Sequence, residues 1–135
     1  MTRITRLNIL IFTAFLLLSL FLLPSCGKNH SEMVLESLQA IEYVMRTNLD
    51  DPEKMLIELD ACIEKYGPVW EKSHHLLETR SKDSYRKEFN LQIAQLRKTT
   101  SEIIDLDLEI QDRLQDRPEL LKAYEERVQR IGYTH

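Results

Sequence analysis

Glycine and proline are scarce in this sequence, three and four among 135 residues, and cysteine occurs only twice. A chain so poor in turn-forming residues is not built as a turn-rich β fold, and no segment alternates apolar and polar residues with period two. The short catalytic signatures are missing as well. There is no Gly-rich phosphate loop, no nucleophile elbow, no His-Glu-x-x-His and no Cys-x-x-Cys. With no convergent acid–base set, the expectation is a protein that is not an enzyme and has neither a cofactor nor a small-molecule substrate.

Acidic residues are absent from the first 25 positions. That stretch holds 16 hydrophobic residues and two arginines, whereas all 22 acids and 16 of the 18 Lys and Arg lie beyond it, so the remainder stands at net −6. About 110 residues can bury one modest core but not two. Arg3 and Arg6 make a short basic start, and Ile9 to Leu23 then run apolar apart from Thr13 and Ser19. This is the layout of a secretory signal, short for a bilayer span of about 20 residues.

Leu23-Pro24-Ser25-Cys26-Gly27 resembles the lipobox of bacterial lipoproteins, with Leu23, Ser25 and Cys26 at their expected places and Pro24 departing from the usual small or β-branched residue. The resemblance covers residues 1–27. It implies cleavage before Cys26 and a thioether-linked lipid there, with two or three acyl chains of the palmitate kind. At about 0.8 kcal/mol per buried CH₂, that many chains make attachment effectively permanent. It also implies a place in the bacterial envelope. Gly27 lacks the aspartate that retains lipoproteins in the inner membrane of enteric bacteria, which points to the outer membrane facing the periplasm. An uncleaved anchor, or an ordinary secretory signal with Cys26 incidental, is the alternative. The expected division is a signal peptide over 1–25, a short tether over 26–30 and one helical-bundle domain over 31–135. With Cys26 acylated, Cys62 is an odd thiol in an oxidising compartment, either a buried small hydrophobe or a partner in an intermolecular disulfide. A Cys26–Cys62 bridge requires that lipidation fail.

Helix boundaries are well marked in the remainder. Asn29 with Glu32, or Ser31 alone, caps a first helix with the stripe Val34, Leu38, Ile41, Met45. Asp51 and Pro52 start a second, with Met55, Leu59, Cys62 or Ile63, and Tyr66 inward; Gly67-Pro68 stops it. From Val69 to Arg117 there is neither Gly nor Pro. Trp70, His74 and Leu77 begin one stripe there. Phe89, Ile93, Leu96, Thr100, Ile103, Asp107, Ile110 and Leu114 form another, spaced as a heptad seam. The stripes are out of phase across Arg80–Ser84, where a stutter, kink or short loop is expected. Asp116-Arg117-Pro118 starts a last helix, burying Leu121, Tyr124, Val128 and Ile131 before Gly132. The fold class is therefore all-α, a small bundle of about four helices with a long third.

From Tyr85 to Leu114 that third helix spans ~45 Å, longer than any neighbour. Part of its apolar row is expected to face water, and Ile103 and Ile110, flanked by Glu102, Asp105, Glu109 and Asp112, are the expected contacts with a second copy or a basic helical partner. End-to-end packing of the first and last helices along it is the competing arrangement. Charge is also segregated. Residues 80–98 carry six bases and two acids, between two acidic stretches. This basic stretch either faces the acidic first hairpin or meets anionic headgroups or an acidic partner. Nucleic acid is excluded by the compartment.

Glu71, His74, His75 and Glu78 form the one cluster of candidate metal ligands. The i,i+3 pairs Glu71–His74 and His75–Glu78 each share a helix face, as in di-iron bundles, but no second Glu-x-x-His follows and one helix supplies too few ligands, so no metal site is expected. Two functions follow. One is an interaction or assembly lipoprotein; the pilotins, small helical lipoproteins that escort secretins, are similar in size and class only. The other is a periplasmic metal- or stress-sensing, chaperone-like bundle working through Glu71–Glu78. A plain envelope coat or spacer is the third reading.

Overall fold

The computed structural model describes residues 27–132. The expected signal segment and Cys26 lie outside the described residues, as do residues 133–135. Five helices follow in order: α1 (His30–Thr47), α2 (Pro52–Thr79), α3 (Lys82–Glu88), α4 (Ile93–Leu114) and α5 (Pro118–Ile131). No strand occurs among the described residues. None of these helices is long and apolar enough to cross a membrane.

Asn29 caps α1 through a reciprocal capping box, its side chain accepting from the Glu32 amide while the Glu32 carboxylate accepts from the Asn29 amide. The first hairpin turns at Asn48, buried, whose Nδ2 donates to Val44 O at 2.9 Å and to Glu58 Oε2 at 2.6 Å. Asp51 then caps α2 with Pro52 in its first turn. The four longer helices close a ring in the order α1, α2, α5, α4, and α3 packs against the far end of α2. Inside the ring lie Ile41, Val44 and Met45 of α1, Met55, Leu56 and Leu59 of α2, Ile103, Leu106, Ile110 and Leu114 of α4, and Tyr124 and Ile131 of α5.

Two expected boundaries are corrected. The second helix does not stop at Gly67-Pro68: α2 continues for 28 residues through both. Pro68 deprives the helix of one amide donor and strains the preceding turn, at a cost of about 3 kcal/mol. Contacts with α1 on either side of Pro68 offset that cost. Tyr66 and Val69 are buried, the Tyr66 hydroxyl donates to Glu36 Oε1 at 3.1 Å, and the Trp70 indole donates to Ser37 Oγ at 2.9 Å.

The long third helix is instead divided. One break falls at Arg80–Ser81, within the stretch where the stripes change phase, and Ser81 caps α3. A second break, unmarked by Gly or Pro, occupies Phe89–Gln92. Phe89 is buried there, its ring 4.7 Å from Tyr85 and edge-on to His30 at 6.2 Å, and Ser31 Oγ lies 3.0 Å from Gln92 Oε1. The chain turns so that Phe89 can cover the start of α1 while α4 runs along α1.

Candidate interaction cleft

Arg127 decides how α5 sits. Half-buried, it donates from Nη2 to Asp60 Oδ2 at 2.8 Å, from Nε to Leu56 O at 3.2 Å, and from Nη1 to Ala123 O at 2.8 Å. Two donors of one planar guanidinium tie α5 to α2, and the third, on Ala123 O within α5, holds the side chain in place. As a result α5 leans onto α2 and touches α4 far less. Between α4 and α5 a cleft of about 410 Å³ opens. Ile41, Met45 and Leu59 form its floor, Ile103, Ile104 and Val128 its walls, and Asp107, Gln111, Glu125 and Gln129 its polar rim.

The cleft has an ordered polar side. The Tyr124 hydroxyl, on a fully buried residue, donates to Asp107 Oδ1 at 2.6 Å, and Gln111 Nε2 donates to Asp107 Oδ2 at 2.8 Å. Burial first, then the bond to Asp107, pushes the Tyr124 phenol far above its ordinary value, so it stays a neutral donor. Asp107 breaks the apolar seam in the sequence; here it is the acceptor that allows a tyrosine to be fully buried.

Ile103 and Ile110 do not form the expected partner surface. At 4% and 2% exposure they belong to the protein's own core, covered by α1 and α5. The neighbouring flank of α4 is the exposed one, with Ile104 at 52% and Leu108 at 62%. Ile93, Leu96 and Thr100 extend this flank toward the start of α4. The seam was legible from spacing, but which flank α5 would leave bare depended on its long-range contacts with α2.

Glu71, His74, His75 and Glu78 are all exposed along the second half of α2. They do not converge, and no group of three or more His, Cys, Asp or Glu side chains able to hold a metal occurs among the described residues. Cys62 is a free, half-buried thiol whose pKa is raised by desolvation, a poor nucleophile at neutral pH.

Within the basic stretch the ion pairs are local: Arg80 with Glu88 at 3.0 Å and Lys98 with Glu102 at 3.9 Å. Lys82, Arg86, Lys87 and Arg97 make no ion pair among the described residues, so the stretch is not neutralised by the acidic first hairpin. No protein-family model, curated protein or solved structure matches this chain.

Proposed function

We propose that the chain is a lipoprotein of the bacterial envelope, held on the periplasmic face of the outer membrane by acylated Cys26, and that its bundle is an interaction or assembly module for a helical partner or a second copy. The anchor rests on the Leu23–Cys26 lipobox behind a basic start and an apolar core. The module rests on one observation: α4 presents Ile104 and Leu108, one turn apart and both more than half exposed, beside an apolar cleft with a polar rim. Exposed apolar side chains at i,i+4 next to such a cleft suit the apolar face of another helix.

Each half has its own test. An alkyne palmitate analogue fed to cells labels the wild type and not Cys26→Ala; equal labelling refutes the anchor. A photo-crosslinking residue at position 104 or 108 gives one discrete adduct in cells, and one at exposed Gln39 on α1 gives none. Identical behaviour at the three positions refutes the module.

A further inference from the structure

The two ends of the bundle are unlike in charge. At one end His30, three residues after Gly27, packs on Phe89, and Ser31 meets Gln92. His30 Nε2 also lies 2.9 Å from Ser73 Oγ, so the last turns of α2 extend beyond the start of α1. The described chain thus begins beside α3, the Phe89–Gln92 turn and the start of α4, which with Arg80 at the end of α2 carry the six bases and two acids of residues 80–98. Glu32 and Glu36 at the start of α1 and Glu71 and Glu78 on α2 are further acids near this end, and Lys28, paired with Glu36, and Lys72 are further bases. At the opposite end, residues 48–53 and 112–119 carry six acids and two bases. Both of those bases are engaged, Arg113 with Asp50 and Glu109, Arg117 with Glu53.

The basic end also has an apolar tip. Leu91, in the turn between α3 and α4, is 91% exposed, the most exposed of the large hydrophobic side chains among the described residues. In sequence it falls between Lys87 and Arg97, which have no acidic partner among the described residues. Residue 26 is one peptide bond from Gly27, and four extended residues reach only about 14 Å. An anchor at that point holds this end, and no other, against the lipid.

We propose that the α3–α4 end of the bundle is a membrane-docking face, on which Lys82, Arg86, Lys87 and Arg97 meet anionic phospholipid headgroups while Leu91 enters the interface, standing the bundle end-on with its acidic end away from the membrane. This deepens the lipoprotein reading and rests on it for the tether. Each base near an anionic surface strengthens attachment roughly fivefold, and the effect fades within about 10 Å, so only the end beside the tether benefits. The acidic end is repelled by the same surface, which selects the end-on posture over a side-on one.

The full-length protein, purified from membranes in a Cys62→Ser background, is reconstituted into phosphatidylcholine vesicles with or without phosphatidylglycerol. A single environment-sensitive fluorophore is attached at Leu91→Cys or, at the opposite end, Asp116→Cys. Phosphatidylglycerol is expected to raise and blue-shift the emission at position 91 several-fold and leave position 116 unchanged. Replacing Lys82, Arg86 and Lys87 together by Glu abolishes the gain; circular dichroism verifies that this variant is folded. Equal responses at 91 and 116, no response to phosphatidylglycerol, or a gain that survives charge reversal overturns the face. Flotation with pure phosphatidylcholine vesicles reads the anchor separately. A chain that fails to float there refutes the acylated tether, and the contrast between 91 and 116, then read with Cys26→Ser added so that one thiol is labelled, still decides the face on added phosphatidylglycerol vesicles.

Discussion

Tyr124 and Asp107 form the most consequential pair of side chains in the core. A phenol with no exposed surface needs a partner for its hydroxyl, and Asp107 accepts it at 2.6 Å. Tyr124→Phe removes the bond but leaves the ring, and is expected to cost about 1 kcal/mol in urea unfolding. Asp107→Ala strands the hydroxyl and should cost more, about 1–3 kcal/mol. In the double variant the two costs should not add, because the phenol is no longer left buried without its acceptor.

His30 gives a pH signature at the same scale. Burial, then the Lys72 charge, lowers its pKa from the ordinary 6.5. The unfolded chain therefore takes up a proton at a higher pH than the folded one. The stability that His30 contributes is complete above about 6.5 and is lost as pH falls toward the lower folded value. Melting temperature should drop between pH 7.5 and pH 5, and His30→Gln should flatten that slope. Glu36, whose pKa is lowered by its bond to Lys28, loses its contribution only further down, in the carboxylate range.

At the level of elements, α2 is the surprise. Gly67 is helical, its φ is not positive, and a methyl group there meets nothing within 4 Å. Gly67→Ala should therefore stabilise the bundle by about 0.5–1 kcal/mol, through the lost freedom of the unfolded chain, seen as a melting temperature several degrees higher. Had the helix ended at Gly67, as the Gly-Pro pair suggests, the substitution would be neutral or harmful. On α4 adjacent positions should behave oppositely. Ile103→Asp places a carboxylate in the core and is expected to abolish cooperative unfolding, whereas Ile104→Asp and Leu108→Asp leave the melting temperature within about 1–2 °C and cancel partner crosslinking.

Over the whole molecule, α5 closes the ring. Tyr124 and Ile131 complete the core around Met55, Leu59 and Ile110. Truncating Tyr124 alone to Ala should cost about 3–5 kcal/mol, a large share of a small domain's stability. A chain ending at Gln115 is expected to show helix by circular dichroism but no cooperative melt. Such a chain would also enhance the fluorescence of a hydrophobic dye, by exposing the faces of α1, α2 and α4.

The all-α class, the Asn29 and Asp51 starts, the α4 seam from Ile103 to Leu114 and the burial of Tyr124 were legible in the sequence, because caps and heptad spacing act over a few residues and depend on no distant partner. The continuity of α2 through Pro68 was not, since it depends on Tyr66 and Trp70 finding Glu36 and Ser37 some 30 residues away. Nor was the turn at Phe89–Gln92, made by burial against His30 rather than by any breaker in the chain. The lean of α5 onto α2, and with it the cleft and the bare flank of α4, goes with contacts across the bundle, Arg127 with Asp60 and Leu56 and Tyr124 and Ile131 in the shared core. Local chemistry determined which segments are helices; long-range contacts, which spacing along a chain cannot encode, decided where those helices end and which of their faces remain open to solvent.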